Sequence, residues 1–135
     1  MEKIPQSHVR LLEEAVYPTL ATVMPDGQPQ AHPVWCDFDG DYVRVNTAKG
    51  RQKDLNLVRD PQATLLLVDP ENPFFWMEIR GTVAERIEGG PAEDHIDSLA
   101  NKYLGRESYP SRQEGEVRVM YRLKPERVLA SGNGN

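Results

Sequence analysis

The sequence has a single cysteine, Cys36, and only three histidines in its 135 residues. One cysteine excludes an intrachain disulfide and any cysteine metal cluster. It suits a reducing compartment, and a cytoplasmic protein is expected. His8, His32 and His95 fall on different segments, and neither HExxH nor CxxC spacing occurs, so no metal site is expected. Histidines scattered in this way serve packing or the surface. There is no Gly-x-Ser-x-Gly elbow, and no Ser–His–Asp set can be nominated. No apolar run approaches the roughly 18 residues of a membrane span. The opening MEKIPQSHVRLLEE is too polar and acidic for a signal peptide. The net charge is -5, so the surface as a whole is no nucleic-acid footprint. Neither nucleic acid nor a membrane is expected as a partner.

What is present fits one domain over residues 1–135, with 39% hydrophobic and 27% charged residues. IPQSHVRLLEEA carries Val9, Leu12 and Val16 at helical spacing behind Pro5. YPTLATVM and QPQAHPVWCDFD read as strands around the turn PDG, and Pro29 and Pro33 mark the second as an edge, a bulge or a wide opening. DGD, Asp39 to Asp41, makes a second hairpin into YVRVNT. QATLLLVD reads as a strand buried on both faces. FFWMEIRGTVAERIE is the longest strand, with Gly81 at a bulge or close approach. GPAEDHIDSLANKYLG has a proline start and a glycine end, so it is a helix with an Ile96/Leu99/Leu104 stripe. VRVMYRLKPERVLAS supplies one or two closing strands, and a frayed tail is expected from residue 130 onward. Strands in hairpin succession with few helices predict a mainly β fold, a small antiparallel barrel with two or three short peripheral helices.

One stretch poses a physical question. NTAKGRQKDLNLVRDP reads as a strand end, a glycine turn and a helix that stops at Pro61. Arg44, Lys49, Arg51, Lys53 and Arg59 lie within the sixteen residues 44–59, which hold one acid, Asp54. Cations at a helix N-terminus oppose its dipole by about 0.3–1 kcal/mol each when exposed. A bound anion would reverse that sign. Free N–H groups from Gly50 to Lys53 would then donate to phosphate oxygens, with Arg51 forked, Lys53 a point charge and Thr47 adding a hydroxyl. Alternatively the run is solvated, with Arg51 paired to Asp54. The residues alone leave both readings open.

VNTAKGRQKDLNLVRDP, taken with FWMEIRGTVAE, resembles the pyridoxamine 5′-phosphate oxidase-like flavin-binding split-barrel superfamily. More narrowly it looks like the branch of small reductases that use the deazaflavin coenzyme F-420. The Thr47…Arg51-x-Lys53 spacing carries most of this, with the hairpin LATVMPDGQPQAHPVW and the IRG at Ile79 to Gly81. The resemblance spans residues 6–130. It implies a six-stranded antiparallel split β-barrel that pairs as a homodimer, with the cofactor in the groove between subunits. Val34 and Trp35 would line the ring, and Asn46 and Thr47 would contact the ring or ribityl chain. Lys49, Gly50, Arg51 and Lys53 would hold the phosphate, with Lys49 and Arg44 available to an acidic tail. Phe75, Trp76 and Met77, from the segment Asn72 to Met77, would reach the cofactor from the other protomer.

The C-terminal VRVMYRLKPERVLASGNGN lacks the Arg-x-His pattern of the classical oxidases, which argues against pyridoxine chemistry. The implied function is hydride transfer between F-420 and a small planar or conjugated substrate. An FMN-dependent enzyme, or a non-catalytic flavin, deazaflavin or tetrapyrrole carrier, is the alternative. Tyr103, Tyr109 and Tyr121 are possible proton donors, although most tyrosines are packed; no catalytic residue is assigned. Phe74, Phe75 and Trp76 suit an interface better than ring stacking. Cys36 is expected to be a buried, inert thiol.

Overall fold

The computed structural model describes residues 1–132. Its secondary structure runs α1 (Arg10–Glu13), β1 (Thr19–Val23), β2 (Pro29–Pro33), β3 (Cys36–Phe38), β4 (Val43–Ala48), α2 (Gln52–Arg59), β5 (Gln62–Asp69), β6 (Asn72–Glu88), α3 (Gly90–Leu104) and β7 (Arg118–Ser131). Seven strands form one sheet in the order β2-β1-β5-β6-β7-β4-β3, each pairing antiparallel.

The topology forces this sheet to curl. β2 and β3 are its opposite edges, yet only Val34 and Trp35 separate them in sequence. Three Cα steps span at most about 11 Å. Six strand spacings laid flat would need about 29 Å. The edges therefore face each other across the Val34–Trp35 crossing, and the sheet is a split barrel. QPQAHPVWCDFD, expected as one strand, breaks there in two, which is why seven strands appear where six were expected. Pro33 cannot donate to a ladder, and the Val34 amide turns instead to the Pro18 carbonyl at 2.9 Å.

The core fills the barrel with alternate residues of each strand. Leu65 and Leu67 of β5, Phe75, Met77 and Ile79 of β6, and Val119, Tyr121 and Leu123 of β7 are all buried. Leu11, Leu12 and Val16 close one end. The helical turns there begin at Pro5 and become α-helix only from Arg10, because His8 and Leu11 bond three residues back. β5 is not buried on both faces. Leu66 and Val68 are 40% and 37% exposed, and Val68 pairs with Trp76 on the outer face. Gly81 answers its expected role: a Cβ there would lie 2.8 Å from the Lys124 carbonyl oxygen, at a bulge between β6 and β7. α3 starts with Pro91 in its first turn and ends at Gly105, which adopts a φ of 70°. Ala130 and Ser131, expected to fray, pair with Met77 and Trp76 as the end of β7; residues 133–135 lie outside the described residues. No helix among the described residues is long and apolar enough to cross a membrane.

Candidate functional site

The barrel opening at Val34–Trp35, the end of β4, the start of α2 and the inner face of α3 enclose a cleft of about 390 Å³. Its lining joins two kinds of chemistry. Trp35 stacks on Tyr103, with centroids 5.4 Å apart and planes within 6°, and meets the edge of Tyr109 at 6.0 Å. Pro33, Val34, Ile96 and Leu99 add apolar lining. Arg51, Lys53 and Arg118 add three cations, the last beside Tyr109.

The cationic part of the lining is under-compensated. Among the described residues Lys53 has no acidic partner within salt-bridge distance. Its ammonium is pulled below the usual lysine value, first by burial and then by repulsion from Arg51 and Arg118. Among the described residues Glu116 is the one carboxylate bridging the two arginines, 2.9 Å from Arg118 and 3.4 Å from Arg51. Thr47 lines the cleft, is 3% exposed, and its hydroxyl finds no hydrogen-bond partner among the described residues. A buried hydroxyl without a partner costs about 1–3 kcal/mol. An unpaired ammonium and two guanidinium groups that share one carboxylate, beside an unpaired hydroxyl, fit an anionic group, and the aromatic wall fits a planar ring. A phosphate-bearing flavin or deazaflavin presents both.

Arg118 was invisible to sequence reasoning. It opens β7, is 3% exposed, donates from Nε to Asn46 Oδ1 at 3.0 Å, and lies over the Tyr109 ring at 5.1 Å. Only the long-range β4–β7 register, with Ala48 opposite Arg118, brings it to the site. Tyr17 and Ser111 also line the cleft unannounced. Asn46 is a brace between elements. Its Nδ2 donates to the Ala92 carbonyl at 2.9 Å and lies 3.0 Å from His95 Nδ1, while His95 Nε2 reaches Asp37 at 3.2 Å. Burial would raise the Asp37 carboxyl, but bonds from His95 and Arg44 bring it down to about 2.

The chain belongs to a known family, as comparison with other proteins makes plain. The model of the pyridoxamine 5′-phosphate oxidase family matches residues 4–132. The chain is a member of that family. Within the same fold, an F-420 reductase is 31% identical, with a TM-score of 0.83, over 93% of this chain and 98% of its own. A conserved hypothetical protein, Rv2991 of Mycobacterium tuberculosis, is 22% identical with a TM-score of 0.76, over 98% of this chain and 91% of its own. HupZ of Group A Streptococcus is 20% identical with a TM-score of 0.68, over 98% and 99%. The last two share the fold.

For this pyridoxamine 5′-phosphate oxidase family member, the expected site residues divide. Val34, Trp35, Asn46, Thr47, Arg51 and Lys53 line one cleft together. Lys49 does not; its ammonium lies 3.3 Å from Glu88. Gly50 has a φ of 89°, but its N–H, expected free, donates to Asp54 Oδ2 at 2.9 Å. The Arg51 N–H is likewise taken by Ala48. The amides of Gln52 and Lys53, in the first turn of α2, have no intrahelical acceptor by geometry. Asp54 pairs with Arg86 rather than Arg51 and accepts from Tyr121 at 2.5 Å. Arg44 is bound by Asp37 through two bonds of 2.8 and 2.7 Å, so it is not free for an acidic tail.

Strand alternation corrects the β6 expectations. Phe75 and Met77 are 1% and 0% exposed, turned into this protomer's own core, where neither a cofactor nor a partner can touch them. Phe75 stacks on His8 at 4.0 Å, and His8 Nε2 sits 2.8 Å from the Ser131 carbonyl. Phe74, 78% exposed, and Trp76 take the outer face. Leu104, expected in the buried stripe of α3, is 46% exposed at the cleft rim. Of the three tyrosines considered as donors, Tyr103 donates to the Val16 carbonyl at 2.7 Å and Tyr121 to Asp54, and burial raises both phenols. Tyr109 alone of the three lines the cleft. Cys36 is buried, and burial pushes its thiol up to about 11, as suits an inert cysteine.

Proposed function

We propose that this protein is an oxidoreductase that transfers a hydride between coenzyme F-420 and a small planar or conjugated substrate. The observation that carries the reading is the cleft's mixed lining: three cations and an unpartnered Thr47 hydroxyl together with the aromatic rings of Trp35 and Tyr109. Arg51 and Lys53 hold the phosphate, and the Gln52 and Lys53 amides assist. Trp35, Val34, Tyr17 and Tyr109 orient the ring and exclude water from it. Bound F-420 supplies hydride chemistry at the carbon that replaces flavin N5. The likeness to an F-420 reductase over nearly the whole of both chains supports this cofactor.

The cofactor site is shared by two copies of this chain in the cytoplasm. The outer face of β5 and β6 exposes Leu66, Val68 and Phe74, with Trp76 opposite Val68, an apolar surface suited to a partner copy. That surface supports the homodimer.

FMN is the second reading, and one observation favours it. Lys49 and Arg44, the cations held in reserve for an acidic tail, are engaged by Glu88 and Asp37. What is left serves a phosphate of either cofactor. Titration with F-420 and FMN, followed by ring fluorescence, separates the two. Micromolar or tighter F-420 binding with hydride transfer to a planar acceptor is expected. Binding of FMN alone would transfer the assignment to FMN, and binding of neither would end it.

A further inference from the structure

We propose that Glu116 is an internal counter-ion that the ligand's phosphate must displace from Arg51, and that it thereby limits how tightly the cleft holds a phosphate-bearing ring. This rests on the phosphate-site reading above. The Glu116 side chain is 6% exposed and is wedged between two guanidinium groups. The two contacts are unequal. Glu116 lies 2.9 Å from Arg118 and 3.4 Å from Arg51. Arg118 is also immobilised by Asn46 and Tyr109. Arg51 is 48% exposed and held by the longer contact, so it is the partner able to leave.

Charge bookkeeping gives Glu116 opposite effects on the two states. In the free protein it relieves the repulsion among Arg51, Lys53 and Arg118, which comes second to burial in lowering Lys53. In the complex the phosphate relieves that repulsion, and the carboxylate becomes a like charge beside it. The neutral isostere keeps an acceptor for Arg118 but surrenders Arg51 to the ligand. Glu116→Gln should therefore lower the stability of the free protein and raise its affinity for phosphate-bearing ligands. A residue that merely props the site would lower both.

The test uses matched pairs: FMN with riboflavin, and F-420 with its phosphate-free deazariboflavin head. In Glu116→Gln the phosphate-bearing member of the pair that binds should bind about fivefold tighter or more, since a close like charge is removed from a partly exposed site. The phosphate-free member should change by less than about twofold, because it makes no ionic contact there. The melting temperature of the free variant should fall. Glu116→Asp, which keeps the charge, should leave the ratio near that of the parent and guards against a folding defect in the amide variant. Equal or weaker binding of the phosphate-bearing ligand, or equal tightening of both members, overturns the inference. A parent protein that binds phosphate-bearing and phosphate-free members alike instead overturns the phosphate-site reading itself.

Discussion

Replacing Thr47 by valine should stabilise the free protein and damage ligand binding. Thr47 is 3% exposed on β4, and its hydroxyl has no partner among the described residues. Valine has nearly the same shape, favours strands, and removes the unpaired group. The gain expected is about 1–3 kcal/mol, the desolvation cost of an unsatisfied buried hydroxyl. For 135 residues the unfolding entropy converts each kcal/mol into a rise of about 3–4 °C. Binding should move the other way. A lost hydrogen bond to a charged phosphate is worth about 1.5–3 kcal/mol, a roughly 10- to 150-fold weakening. Thermal melts of the free protein and fluorescence titrations with FMN and F-420 read both effects. A fall in melting temperature would mean that Thr47 is structurally satisfied. A rise in melting temperature with unchanged affinity would mean that the hydroxyl serves no ligand.

Two further outcomes test the frame around the cleft. Asp54 is 2% exposed and accepts from the Gly50 amide, Arg86 and Tyr121, which places the start of α2. Asp54→Asn should cost about 2–4 kcal/mol in urea melts near neutral pH, below the full buried-pair range because Arg86 is 25% exposed. Burial alone would raise this carboxyl, but its bonds from Arg86, Tyr121 and Gly50 lower it overall. Its contribution is therefore complete above the unfolded carboxylate value of about 3.9 and is lost as pH falls through the lower folded value, so the asparagine variant should lose part of the acid-side slope. Equal slopes for parent and variant would contradict that linkage. On the outer face, Phe74→Ser combined with Val68→Lys should yield monomers in sedimentation with the barrel intact, since both residues are exposed. A persisting dimer would move the interface elsewhere.

The sequence made the elements legible wherever the signal was local. PDG and DGD mark the β1–β2 and β3–β4 hairpins, and the Asp39 side chain accepts the Asp41 and Tyr42 amides. Pro91 and Gly105 bound α3, and Gly81 sits where two backbones meet. Pro29 and Pro33 pointed to an edge, a bulge or an opening, but the position of the break at Val34–Trp35 was not legible, because it follows from closure of the whole barrel. The site was legible only in part, for the same reason. Thr47, Arg51 and Lys53 lie within one β–α connection. Arg118 and Tyr109 arrive from the far end of the chain through strand register and a loop. Pair partners were the least legible, since nothing local in NTAKGRQKD says that Asp54 faces Arg86 or that Lys49 faces Glu88. Phe75 and Met77 show the remaining hazard: in FFWMEI every residue but one is apolar, so composition does not reveal which face is core.

The most direct measurement is the affinity of the double variant Arg51→Ala, Lys53→Ala for whichever of F-420 and FMN the parent binds. Neither side chain is needed for folding, since Arg51 is exposed and Lys53 is held against its own charge by burial. Binding should weaken by more than about tenfold, with the melting temperature of the free protein retained, because each charge-assisted contact is worth about 1.5–3 kcal/mol. An affinity equal to that of the parent would contradict a phosphate at these cations.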